Sequence, residues 1–205
     1  MRSRLEKQIE FIRTIDGLKD VLRSNKTRNG RHKENSAEHS WSVGLMAHLL
    51  AEHSDQPVDV DRVCKMLLLH DIVETDTGDT FRYDESSCVD QHDREAKAAD
   101  RIFGVLPDDQ ACEFRSLWDE FEAEKTTDAK FAKALDHLAG VLHNSSNGGG
   151  SWAEYGISEE RVKNKNLPIP RASSSLGDYA MRLVSDTARN GFIKRNVEPS
   201  DAPAP

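Results

Sequence analysis

The sequence predicts an all-α protein, a single-domain helical bundle, and three observations lead there. Nearly every segment with a clear period repeats its apolar residues at three- and four-residue spacing. No segment of useful length alternates apolar and polar positions as a half-buried strand does. The 205 residues suit one domain and are enough to bury a real core.

Leu5, Ile9, Ile12, Ile15 and Leu18 share one face of a first helix. A polar run over residues 24–34 then breaks the pattern. Asn35 is a candidate N-cap, and Glu38 three residues on completes a variant of the capping box. The second helix buries Val43, Met46, Ala47 and Leu50. Asp59 caps a third, which carries Val60, Val63, Cys64, Leu67 and Leu68 and ends near Glu74. Thr77-Gly78-Asp79 has turn chemistry.

Further helices are expected over 90–103 and 107–124, the latter opened by Pro107. The next starts at Thr126 or Thr127 and runs through Phe131, Ala132, Leu135, Leu138, Ala139 and Leu142, failing at Asn144. Residues 145–150 form a Gly/Ser/Asn connector, with no Gly-Lys-Ser/Thr after it to make a phosphate loop. Helices at 158–165 and 176–190 finish a domain that spans 1–195. The last ten residues, 196–205, hold three prolines and are expected to be a disordered tail.

Composition narrows the function. Hydrophobic residues are 37% and charged residues 31%, a soluble balance, and no stretch nears the roughly 18 apolar residues of a membrane span. The net charge of −8 argues against general binding to nucleic acid or anionic membrane, because both need broad positive surface. The three cysteines form no CxxC pair, and the charged N-terminal stretch is no signal peptide, so a reducing cytoplasm is expected.

Polar residues intrude where the helical pattern calls for burial. His39 lies four residues before Val43 and shares its face. Val63, Leu67, His70, Asp71 and Glu74 fall on one side of the third helix, so the apolar stripe runs into His-Asp-x-x-Glu. Asp136 sits beside Leu135 and flanks Ala132 and Ala139. Buried carboxylates demand counter-charge, yet no Lys or Arg lies between Lys65 and five residues past His70. Imidazole with carboxylate suits a first-row divalent metal. A buried histidine is more often a hydrogen-bonded core residue, and on spacing alone the two readings are evenly matched. His92-Asp93, a second such dipeptide on a polar stretch, reads as surface.

The order His39, His70-Asp71, Asp136 resembles the H…HD…D signature of the HD-domain phosphohydrolases. Glu38-His39-Ser40, Leu68 to Glu74, Thr77-Gly78-Asp79 and Ala132 to Asp136 are each family-like, most of all to the subgroup of 5′-deoxynucleotidases. The resemblance covers residues 12–183. It implies the HD-type bundle, with one divalent ion (Mn, Co, Ni, Fe, Zn or Mg) on His39, His70, Asp71 and Asp136. It also implies catalytic acids at Glu74 and Asp79, a phosphate-contacting Arg23, a nucleoside monophosphate substrate and a homodimer. Ser24 stands where some deoxynucleotidases have a bulky aromatic against the ribose 2′ position, so selectivity for deoxyribose does not carry over. Other nucleotide hydrolases of the superfamily, acting on triphosphates, alarmones or cyclic nucleotides, are rival readings. A non-catalytic metal- and nucleotide-binding domain is another.

Overall fold

In the computed structural model, which describes residues 2–195, side-chain caps set several of the helix starts. The expected tail at 196–205 lies outside the described residues. Ser3 and Glu6 form a reciprocal capping box on α1 (Arg4–Ile15), which tightens into a 3-10 turn at Asp16–Asp20. Strands β1 (Leu22–Lys26) and β2 (Lys33–Asn35) pair antiparallel, with Leu22 opposite Asn35 and Lys26 opposite Lys33. Asn35 and Glu38 box the start of α2 (Ser36–Leu50), and Asp59 caps α3 (Val60–Leu69).

Short α4 (Glu74–Thr77) and α5 (Glu85–Cys88) precede α6 (Gln91–Phe103) and α7 (Asp108–Ala123). The long α8 (Thr127–Ser146), capped by Thr126, leads to α9 (Gly150–Glu154), α10 (Glu159–Lys165), α11 (Pro168–Ala172) and α12 (Ser174–Arg189). Helix α8 is the axis of the bundle and packs against α2, α3, α7, α11 and α12. Val63, Leu67, Trp118, Phe121, Phe131 and Leu135 fill the space around it and are almost wholly buried. Gly177 lets α12 meet α11, since a Cβ there would lie 2.5 Å from Pro170 Cα. Among the described residues no helix is long and apolar enough to cross a membrane.

The all-α reading holds, with five local departures. The polar run contains a small hairpin, not only loop. Its inward residues are Arg23 and Glu34, so the period of two carries charge where an apolar alternation would have been visible. The first part of the α1 stripe faces out, with Leu5, Ile9 and Ile12 66%, 41% and 57% exposed, while Ile15 and Leu18 do reach the core and Phe11 turns inward onto Phe103 and Phe114. Phe11 carries the larger apolar area and takes the core side.

The third helix stops at Leu69, short of Glu74. Ile72, Glu74 and Thr75 bond back three residues, to Leu69, Asp71 and Ile72, and Trp118 Nε1 takes the His70 carbonyl at 3.2 Å. Helix α8 continues past Asn144, whose amide donates to Gly140 and Asn25 while its oxygen accepts from the Ser151 backbone. The short α5, α9 and α11 have too few residues to show a period.

Candidate metal centre

Three elements converge under a cleft of about 420 Å³. Helix α2 supplies His39 from its buried face, the turn after α3 supplies His70 and Asp71, and α8 supplies Asp136. Ligand atoms of His39, His70 and Asp136 lie within 4.8 Å of one another, so these three can hold a metal ion. His39 Nε2 is 3.0 Å from Asp136 Oδ1 and 3.9 Å from Asp71 Oδ2. Asp71 adjoins the group, with Oδ1 2.9 Å from His70 Nε2.

The donor chemistry fits a cation. His70 Nδ1 is 2.7 Å from the Leu67 carbonyl, which can only accept, so Nδ1 carries the hydrogen. In the neutral ring Nε2 then presents a lone pair. It is buried, makes no hydrogen bond, and faces Asp71 at 2.9 Å and Asp136 at 3.9 Å. A lone pair set against two carboxylates is repulsive, and a divalent ion between them removes the conflict.

The shortage of local cations around His70 is partly met from afar. Arg23 on β1, 8% exposed, donates to Asp71 Oδ2 at 2.6 Å and stands 3.7–3.8 Å from Glu34, Asp79 and Asp136. Arg82, on the loop after α4, reaches Asp136 Oδ2 at 3.3 Å. Two guanidiniums among five carboxylates (Glu34, Asp71, Glu74, Asp79 and Asp136) still leave an excess of negative charge.

Proton affinities diverge accordingly. Burial raises Asp71 and Asp136, but it is overridden at Asp71 by His70, when that ring is charged, and by Arg23, and at Asp136 by a hydrogen bond from His39 and by Arg82, so both are held below the usual carboxylate range. Burial and the charge of Asp71 push Glu74 well up. Asp79 is raised chiefly by burial, with Asp71 adding to it against the pull of Arg23. Burial works against Arg23, yet Asp71, Asp79, Glu74 and Asp136 hold its proton more firmly than usual. One pair of acids is thus kept ionised, and the other is kept ready to carry a proton.

Every residue singled out from the sequence lies at this place. His70, Asp71, Glu74, Asp79, Asp136 and Arg23 line the cleft, and His39, 1% exposed, lies behind them. Glu74 Oε2 accepts from Ser36 Oγ at 2.6 Å, and Gly78, with φ of 72°, turns the chain so that Asp79 follows. Of the five basic residues in 23–33, Lys26, Arg28, Arg31 and Lys33 are exposed and only Arg23 turns inward. His92 is exposed at the cleft rim.

The sequence reading missed Glu34, Ser36 and Arg82. Glu34 ends the basic run and Arg82 lies three residues past Asp79, but neither sits on a helical face whose period could flag it. His143, near the end of α8, is half-buried, with Nδ1 3.4 Å from Glu34 Oε2.

Known proteins share this architecture. A predicted metal-dependent phosphohydrolase from Magnetospirillum magnetotacticum MS-1 superposes with a TM-score of 0.88 at 46% identity, over 94% of this chain and 99% of that one. The human 5′-deoxynucleotidase HDDC2 is 31% identical over 138 residues, 67% of this chain, and the match spans 66% of the human protein's length. The 5′-deoxynucleotidase YfbR of Salmonella paratyphi B is 28% identical over 187 residues, 86% of this chain and 90% of that protein. The model of the HD domain matches residues 15–175, most of the sequence. The chain belongs to the HD-domain family.

Proposed function

We propose that the protein is a metal-dependent phosphomonoester hydrolase that removes the 5′-phosphate of nucleoside or deoxynucleoside monophosphates. The observation that carries this reading is the orphaned His70 Nε2, set among carboxylates at the floor of a cleft that also holds Glu74 and Asp79. The similarity to two 5′-deoxynucleotidases supports the substrate class. His39, His70, Asp71 and Asp136 would hold one divalent ion, drawn from Mn, Co, Ni, Fe, Zn or Mg. When bound, the ion supplies Lewis-acid polarisation of the phosphoryl oxygen.

The protein's own groups do the rest. Arg23, fixed by Asp71, presents its charge to the substrate phosphate. Arg82 lines the same cleft and contacts Asp136 through one nitrogen, leaving other N–H groups for the phosphate. Glu74, steadied by Ser36 Oγ, orients the attacking water and accepts its proton. Burial makes it a stronger base than an exposed carboxylate. Asp79, raised by the same cause, gives a proton to the leaving 5′-oxygen. Ser24 at the cleft wall has little bulk to crowd a ribose hydroxyl, so both sugar series are accepted.

The test is a panel of nucleoside and deoxynucleoside monophosphates incubated with metal-stripped and reloaded protein. Inorganic phosphate release that depends on the added metal is expected. Pyrophosphate or tripolyphosphate released from di- and triphosphates, with monophosphates untouched, would assign a different hydrolase.

The working form is a cytoplasmic homodimer. Cys64, Cys88 and Cys112 are free thiols, as a reducing compartment favours. On α2, Trp41, Leu45 and Leu49 follow at four-residue spacing and are 69%, 47% and 63% exposed, with Leu68 of α3 beside Gly44. An open apolar ridge of this kind suits a two-fold contact that pairs it with itself. Light scattering should give twice the monomer mass for the wild type and the monomer mass for Trp41→Glu/Leu45→Glu. A monomeric wild type would overturn the assembly.

A further inference from the structure

Glu34 has no part in the chemistry above, yet its position is unusual. It is 3% exposed on β2, and its Oε2 is buried without a hydrogen bond. Three nitrogens close on that oxygen from three different elements. His143 Nδ1 of α8 is 3.4 Å away, His39 Nδ1 of α2 is 3.6 Å and Arg23 Nε of β1 is 3.7 Å. His143 Nδ1 and Arg23 Nε are themselves buried and unbonded. A dry carboxylate oxygen and two dry donors, each a few tenths of an ångström beyond bonding range, are open to mutual pairing by a small adjustment.

We infer that Glu34 is a positioning residue that orients His39 and Arg23 together, one for the metal and one for the phosphate. This rests on the hydrolase reading for what the two residues serve, but not for the contact itself. The ring of His39 has two edges. Nε2 faces Asp136 and Asp71, and Nδ1 faces Glu34. Asp136, 3.0 Å from Nε2, draws a hydrogen to that edge; with an ion held there instead, a carboxylate behind Nδ1 favours hydrogen on Nδ1 and a lone pair on Nε2, and raises the basicity of that lone pair. His70 reaches the same form through a different outer partner, the Leu67 carbonyl. Both imidazoles therefore turn Nε2 to the common centre, one held by backbone and one by Glu34.

Arg23 is held likewise along its Nε edge, which leaves Nη1 and Nη2 toward Asp71, Asp79 and Asp136. Outside the four proposed ligands, Glu34 touches both His39 and Arg23. Its loss should weaken metal binding and substrate binding together.

The test compares wild type, Glu34→Gln and Glu34→Ala. The probe is Zn²⁺ or Mn²⁺ alone, titrated into metal-stripped protein against a competing chelator. Metal affinity is expected to fall roughly 10- to 100-fold in Glu34→Ala, and less in Glu34→Gln, whose amide oxygen still accepts. In zinc-loaded wild type the His39 Nδ1–H should give a downfield, slowly exchanging NMR signal that Glu34→Ala loses. KM for a monophosphate should rise in Glu34→Ala at saturating metal.

Unchanged metal affinity in a folded Glu34→Ala protein would overturn the inference. Should that variant not fold, Glu34→Gln and the wild-type spectrum decide, and an unprotected His39 Nδ1–H would overturn it equally. If no monophosphate is hydrolysed by wild type, the hydrolase reading falls while the metal and NMR measurements still judge Glu34.

Discussion

Asp71→Ala is expected to abolish phosphate release and to weaken metal binding by at least about 100-fold, the largest effect of any single change here. The carboxylate serves two neighbours at once. Its Oδ1 is 2.9 Å from His70 Nε2, and its Oδ2 accepts from Arg23 Nη1 at 2.6 Å. Removing it takes one ligand from the proposed ion and unties the guanidinium that would hold the phosphate. The fold should survive, because Glu34, Asp79 and Asp136 remain 3.7–3.8 Å from Arg23 and hold its charge. Metal content by elemental analysis, turnover and the thermal midpoint are measured together. A fully active Asp71→Ala protein would remove the proposed site altogether.

Glu74→Gln should separate the metal from the chemistry. The amide keeps the volume and one oxygen for Ser36 Oγ, which now donates at 2.6 Å, but it cannot take a proton. A general base contributes about 10²- to 10⁴-fold, so kcat should fall by that factor while bound metal stays near the wild-type level. Glu74→Ala should behave the same way with some loss of stability, since it opens space beside a residue only 7% exposed. Loss of metal in parallel with activity would make Glu74 a ligand instead of the base. Retention of full kcat would pass the role to Asp79, a neighbouring cleft acid whose proton affinity is also raised.

Much of this was open to the sequence, and residue by residue the reason is local. His39, His70 and Asp71 are visible because each continues an apolar stripe with a polar group. Asp136 stands out similarly between Ala132 and Ala139. A helix repeats its direction every three or four residues, so the burial of His39 and Asp136 follows from spacing, whereas His70 and Asp71 are buried on the turn just past Leu69. The capping pair Asn35 and Glu38 announced the start of α2 by the same local logic, and the structure has both bonds of that box.

Other features have no local signature. The outward turn of α1 depends on Phe11 finding Phe103 and Phe114, ring contacts that link it to α6 and α7. The break after Leu69 depends on Trp118 taking the His70 carbonyl from 48 residues away. The hairpin that carries Arg23 and Glu34 inward was hidden because its buried positions are charged, and apolar periodicity is blind to them.

Chemical identity and much of the local direction were therefore determined by the sequence itself: most of the helices, the inward faces of α2 and α8, and His39 and Asp136 buried among apolar neighbours there. Only the tertiary structure decided how those groups meet. It brought Arg23 and Arg82 to carboxylates that lacked neighbouring cations, and it placed Glu34 behind His39. The physical reason is range. Helical period and caps act over a few residues, whereas charge compensation and ligand geometry are settled between groups up to about a hundred residues apart, as with His39 and Asp136 at a separation of 97.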